Sequence, residues 1–138
     1  MNSCAFCSDE IYKRVIEEGE HAIVFLSNPR LAFGHILIVP KRHTQKLTDL
    51  TKDETKEIMN FLTKYQERVI KKISKGTIIV TNYKPYKPDS KTRVNHFHFH
   101  ILPINQGDEY ETEVESKKST LYKDLSEEEN VKVTKLLK

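Results

Sequence analysis

A chain of 138 residues with 37% apolar and 31% charged side chains has the composition of one ordinary globular domain. No apolar run approaches the roughly 20 residues of a membrane-spanning helix, and no arginine stripe or aromatic-interleaved basic patch marks a nucleic-acid surface. The net charge of +3 is uneven: residues 105–138 carry nine acids and six lysines, a balance of −3, which leaves +6 on residues 1–104 and suits a small anionic partner.

Met1-Asn2-Ser3-Cys4 opens without a basic-then-apolar leader, so a cytoplasmic location is expected. Cys4-Ala5-Phe6-Cys7 holds the only two cysteines. In a leaderless chain such a pair is a metal half-site or a redox pair rather than a structural disulfide. Its place ahead of any strand favours metal, and a closed tetrahedral site then needs two further ligands from elsewhere. Residues 12–16 and 21–26 read as a β-hairpin turning through Gly19, with His21 at the surface. Ser27-Asn28-Pro29-Arg30 breaks the second strand. Residues 33–40 form a third strand, with His35 directly after Gly34, where backbone and side chain can approach a ligand closely.

Residues 48–74 are expected to form the one long helix. Ile58, Phe61, Leu62, Tyr65, Val69 and Ile73 recur at three- and four-residue spacing, giving a single apolar stripe. Thr51 and Glu54 make a capping box, and Gly76 marks the stop. Residues 77–81 are a β-branched fourth strand, and a loop with Pro85 and Pro88 follows. Beyond Pro103 the chain turns acidic, and Ser126-Glu127-Glu128-Glu129 caps a short terminal helix that includes Val131 and Leu136. No repeat or linker divides the chain: a single domain over 1–138 is expected, a motif-bearing body at 1–104 and an acidic tail at 105–138.

The most informative stretch is Asn95-His96-Phe97-His98-Phe99-His100-Ile101-Leu102-Pro103, which holds three of the six histidines at every second position. In an extended strand His96, His98 and His100 share one face, and Phe97 and Phe99 anchor the other in the core. An imidazole row of this kind serves either metal binding or nucleophilic catalysis, and HxHxH alone does not choose.

Gly34-His35-Ile36-Leu37-Ile38-Val39-Pro40-Lys41-Arg42-His43, taken with His96-x-His98-x-His100, resembles the histidine-triad (HIT) superfamily from Cys4 to Pro103. The resemblance implies an α+β fold with a five-stranded antiparallel sheet, one long helix and a short C-terminal helix, and a homodimer. It implies hydrolysis at the α-phosphate of a dinucleoside polyphosphate or related nucleotide conjugate, through a nucleotidyl-histidine intermediate, releasing a nucleoside monophosphate. His98 is the implied nucleophile, with the backbone carbonyl of His100 accepting from its Nδ1–H; His100 and His35 line the phosphate. Neutral imidazole chemistry suits this role near pH 7, and imidazole and backbone donors can stabilise the phosphoryl charge. No catalytic metal is required, since no Asp/Glu cluster lies near the motifs. A phosphoramidase or a dinucleoside polyphosphate phosphorylase of the same fold is the alternative, and a non-catalytic nucleotide- or partner-binding protein the further one. A third reading makes the whole triad a zinc site.

Some members of the family hold a structural zinc, and the corresponding ligands here are Cys4, Cys7, His43 and His96. The family's ribose contact falls on Ser27, with Asn28 one residue on as the better chemical match. Asn82 takes its polar position near the phosphate. Where many members have a Gly-Gln-Ser stretch this chain has Lys91-Thr92-Arg93-Val94-Asn95, placing Arg93 at the serine position. With Lys84, Lys87 and Lys91 beside it, that guanidinium suits a polyphosphate leaving group.

Overall fold

The computed structural model describes residues 4–138; the leader reading on Met1, Asn2 and Ser3 concerns residues outside these. Two compact units are formed, Met1–Asn105 and Gln106–Lys138. In the first, short 3-10 turns at Ala5–Cys7 and Asp9–Arg14 lead into β1 (Val15–Glu18), β2 (Ala22–Leu26) and β3 (Ile36–Pro40). A 3-10 turn at Leu47–Asp49 and helix α1 (Lys52–Lys72) follow, then β4 (Gly76–Val80) and β5 (Phe99–Ile104). The sheet is antiparallel throughout, in the order β1-β2-β3-β5-β4. Helix α1 carries the chain from β3 past one vacant lane to β4, and β5 returns to fill that lane. The last of the histidine motif is thereby placed centrally, with His100 facing Leu37 of β3 on one side and Val80 of β4 on the other.

Alternation divides the sheet residues between two cores. Ala22, Val24, Ile36, Ile38, Phe97 and Ile101 meet Ile58, Phe61, Leu62, Tyr65 and Val69 of α1. On the opposite face Ile23, Phe25, Leu37 and Val39 are covered by Ile11, with Phe6 and Val15 packed alongside. The N-terminus of α1 is closed by the expected capping box: Thr51 Oγ1 accepts from Glu54 N–H (3.1 Å) and Glu54 Oε1 accepts from Thr51 N–H (2.8 Å). Glu54, though buried, keeps its charge because Arg42 donates to both its oxygens (2.8 and 3.2 Å) and holds its pKa below the usual carboxylate range.

Several boundaries depart from the sequence reading. Residues 12–14 belong to the Asp9–Arg14 turn, so β1 starts at Val15. Residues 33–35 precede β3, because Gly34 sits at φ +85°, outside strand geometry. Thr48 lies in the Leu47–Asp49 turn ahead of the helix. Gly76 does not end α1; the helix closes at Lys72 with Ile73 as its cap, and Gly76 opens β4. Ile73, counted into the apolar stripe, is 41% exposed there.

The second unit holds α2 (Glu109–Ser119) and α3 (Glu127–Leu137). The expected cap of α3 is present, with Ser126 Oγ accepting from Glu129 N–H (3.1 Å). Helix α2 went unread because its sequence shows no apolar stripe; acidic residues at its start and lysines at its end match the helix dipole instead. Among the described residues no helix is long and apolar enough to cross a membrane.

Candidate active site

His96, His98 and His100 lie at the N-terminal end of β5, and only His100 is inside the strand. The residues ahead of it are nevertheless pinned. Phe97 N–H donates to the Thr44 carbonyl (2.7 Å) and Thr81 Oγ1 donates to the His98 carbonyl (2.6 Å). Phe97 is buried among the α1-side core residues with Phe99 packed alongside, as the alternation predicts.

The ring of His98 places Nδ1 2.6 Å from the His96 carbonyl. A carbonyl only accepts, so Nδ1 carries the proton and Nε2 presents its lone pair. The acceptor is therefore His96, not His100 as the resemblance implied. The backbone of His100 is committed to the ladders with β3 and β4, whereas that of His96 lies before the strand. Burial depresses the pKa of His98, which keeps the ring neutral.

His35 and His100 form a second, oppositely oriented system. Leu31 N–H donates to His35 Nδ1 (3.1 Å), which leaves the proton of a neutral His35 on Nε2. That nitrogen lies 2.9 Å from His100 Nδ1, so it donates, and His100 in turn keeps its own proton on Nε2. Burial, reinforced by the neighbouring imidazoles, lowers His35 to about 4 and His100 to about 3. The rings of His98 and His100 are 4.7 Å apart at 68°. A lone pair on one ring thus stands beside an N–H donor on the next, an arrangement suited to attack on an electrophile whose departing or equatorial oxygens need a donor.

His96 is turned differently. Its Nε2 donates to the Pro40 carbonyl (2.8 Å), so Nδ1 is the bare nitrogen. That atom meets Cys4 Sγ (3.4 Å), Cys7 Sγ (3.5 Å) and His43 Nδ1 (3.2 Å), with Cys7 Sγ also 3.5 Å from His43 Nδ1. All four ligand atoms lie within 4.8 Å of one another. Around a tetrahedral zinc with Zn–S of about 2.3 Å and Zn–N of about 2.05 Å, neighbouring S and N atoms stand about 3.6 Å apart and two N atoms about 3.3 Å. The Cys4–His96, Cys7–His96, Cys7–His43 and His43–His96 edges match those spacings, and the donor set is that of a closed site.

The other expected residues are placed less centrally. Ser27 pairs with His35 through its N–H and the His35 carbonyl (3.0 Å), while its hydroxyl donates to the Pro29 carbonyl (2.9 Å). Asn28 is exposed in the loop that follows. Asn82 lines an open cleft of about 300 Å³ with Lys46, Leu47, Thr48, Thr81, Tyr83 and Phe97. Arg93 is half-buried and closes a tight turn, exchanging backbone hydrogen bonds with Ser90 (2.8 and 3.3 Å). Asn95 ties that loop back to Asp89 and Lys87. Sequence reasoning missed the groups that set the tautomers, Leu31 N–H and the Pro40 and His96 carbonyls, because backbone atoms leave no mark in a residue pattern. It also passed over Phe6, whose ring lies 5.0 Å from that of His98.

Comparison with known proteins gives the family. The chain is 38% identical over 112 residues to an uncharacterized HIT-like protein of Methanocaldococcus jannaschii, covering 76% of this chain and 81% of that one. It is 28% identical over 107 residues to the adenosine 5'-monophosphoramidase hnt1 of Schizosaccharomyces pombe, covering 73% of this chain and 74% of that one. A Zn-bound histidine triad family protein from Mycobacterium smegmatis superposes with a TM-score of 0.64 at 25% identity, over 78% of each chain. The HIT domain model matches residues 8–107, and the chain belongs to the HIT family.

Proposed function

We propose that this protein is a nucleotide hydrolase that attacks the α-phosphate of a dinucleoside polyphosphate or a related conjugate. The observation that carries the reading is the pair of opposed tautomers, a bare Nε2 on His98 beside an Nε2–H on His100. In the first step the lone pair of His98 Nε2 forms the N–P bond. The bond from phosphorus to the leaving phosphate breaks, and its electrons depart with that group. The positive charge left on the His98 ring is shared through Nδ1–H with the His96 carbonyl, 2.6 Å away. His100 Nε2–H stabilises the phosphoryl oxygens and His35 holds His100 in that tautomer. In the second step water attacks phosphorus, the N–P bond breaks with its electrons returning to Nε2, and the water proton leaves to solvent. A nucleoside monophosphate is released.

Ser27 and Asn28 are the proposed ribose contacts, and Asn82 and Arg93 the polar and cationic contacts to the phosphate chain. The neutral site favours a polyphosphate, which departs as an anion and needs no proton. His35 and His100, held at about 4 and about 3, offer hydrogen bonds but surrender a proton poorly at pH 7. Phosphoramidase chemistry is the second reading, favoured by the name of the fission-yeast relative. The two are told apart by comparing kcat/KM for a diadenosine polyphosphate with that for an adenosine phosphoramidate.

Cys4, Cys7, His43 and His96 would hold a structural zinc, which would fix the N-terminal segment to the stretches after β3 and before β5 and take no part in the reaction. Elemental analysis should find one zinc per chain, lost in Cys4→Ser/Cys7→Ser and kept in His98→Ala. Loss with His98→Ala and retention without the cysteines would transfer the metal to the triad. A homodimer belongs to the same proposal and is read by light scattering.

The decisive experiment is intact-mass analysis after brief mixing with a diadenosine polyphosphate, quenched under conditions that preserve phosphohistidine. A transient gain of one nucleotidyl group, absent in His98→Ala, is the expected result. Product without adduct would replace covalent catalysis by direct attack of water. Neither product nor adduct, with a phosphoramidate as well, would leave a binding protein.

A further inference from the structure

Phe6 lies inside Cys4-Ala5-Phe6-Cys7, on a 3-10 turn closed by Cys7 N–H donating to the Cys4 carbonyl (3.1 Å). Its ring makes near-perpendicular contacts with three others: His98 at 5.0 Å and 88°, His96 at 6.0 Å and 69°, and Phe25 at 5.3 Å and 75°. The same ring therefore touches a member of the Cys2His2 cluster and the proposed nucleophile. Besides these rings, Phe6 rests at the edge of the Ile11, Ile23, Phe25, Leu37 and Val39 core. The Ala5–Cys7 turn buries no residue, and the Asp9–Arg14 turn after it buries only Ile11. The position of Phe6 is set by that edge contact and by the cysteines on either side of it, both of which belong to the Cys4–Cys7–His43–His96 cluster.

We infer that Phe6 is a positioning residue for His98, through which occupation of the Cys4–Cys7–His43–His96 cluster fixes the attacking ring. The inference rests on the nucleotidyl-transfer reading above. The hydrogen bond from His98 Nδ1 to the His96 carbonyl orients one end of the imidazole but leaves rotation about that bond. His100 limits the rotation on one side, at 4.7 Å, and Phe6 supplies another wall. Attack on phosphorus needs the Nε2 lone pair aligned with the bond that breaks, so a ring that rocks spends less time in line. When the cluster is empty the turn bearing Phe6 is no longer cross-linked to His43 and His96, and the wall loosens.

The test uses the full chain loaded with zinc, Phe6→Ala, and Phe6→Leu as a variant that retains apolar bulk. Phe6→Tyr is the conservative rescue. With a diadenosine polyphosphate, the rate of nucleotidyl-histidine formation should fall about tenfold in Phe6→Ala and Phe6→Leu, with KM within about twofold, zinc content intact, and most of the rate restored by Phe6→Tyr. A second readout needs no turnover: in histidine-labelled protein the His98 ring protons should carry a ring-current shift that disappears in Phe6→Leu and on chelation. An unchanged adduct rate with a raised KM would make Phe6 a nucleotide contact and overturn the inference. His98 ring shifts identical with and without zinc would overturn it equally. If the wild type forms no adduct with a diadenosine polyphosphate or a phosphoramidate, the functional reading falls, and the ring shifts still decide whether the cluster positions His98.

Discussion

The two faces of the sheet are built from the same β2, β3 and β5 and differ in what covers them. One is closed by a 21-residue helix that contributes Ile58, Phe61, Leu62, Tyr65 and Val69. The other is covered by two 3-10 turns, and the apolar cluster buried there is the smaller one of Ile11, Ile23, Phe25, Leu37 and Val39. The imidazoles of the proposed reaction lie on the thinner side. His98 and His100 occupy positions there that a helix would have filled with aliphatic side chains, and His35 joins them from the turn before β3. Burial, reinforced for His35 and His100 by the neighbouring imidazoles, lowers the imidazole pKa values on this face, while the helix face supplies rigidity beneath them. The Cys4–Cys7–His43–His96 cluster lies at this short cover and would secure it with a metal bound.

This division can be broken from either side. The largest expected effect is on the chemical face: His98→Ala should lower turnover by on the order of 10³-fold or more with the unfolding midpoint nearly unchanged. A variant that unfolded instead would show the imidazole to be structural. From the helix face, Phe61→Ala should destabilise by about 3–5 kcal/mol in urea titration while KM under folding conditions holds. A matching rise in KM would mean that the helix face shapes the proposed substrate site.

Acid titration sharpens the comparison. His35 sits at about 4 and His100 at about 3 when folded, against about 6.5 in an unfolded chain. Between those values the unfolded chain binds more protons, so stability rises with pH across the window. It is fully present above about pH 6.5 and is lost as pH falls through about 4 and then 3. Each group contributes a slope of at most about 1.4 kcal/mol per pH unit. Urea midpoints at pH 7 and 4.5 should differ accordingly, and less so in His35→Asn/His100→Asn; a flat wild-type profile would refute neutral buried imidazoles.

The smallest effect is expected at the hinge between the faces. Gly34 has φ +85°, and a Cβ there would stand 3.0 Å from Ile73 Cδ1 and 3.3 Å from Pro103 Cγ. Gly34→Ala should cost about 1–3 kcal/mol and displace His35. Thermal denaturation at pH 7 measures the first, and a lowered adduct rate the second; a stability equal to wild type would show that the turn can take another shape.

What the amino-acid sequence determined by itself was whatever depends on period and on side-chain identity. The stripe from Ile58 to Val69, the Thr51–Glu54 box, the alternation of Phe97 with His98 and the pairing of two separated motifs were all legible, because each is local or repeats along the chain. The convergence of Cys4 and Cys7 with His43 and His96 was legible only through resemblance, since 36 to 92 residues separate the partners. Tertiary structure decided the rest. The His96 carbonyl and the Leu31 amide lie only two and four residues from the rings they hold, yet the backbone shape that aims them comes with the fold; the His35–His100 contact and the Phe6 ring beside His98 join residues 65 and more apart. A sequence names the imidazoles; only the fold assigns their protons, because a tautomer is chosen by the group opposite each nitrogen.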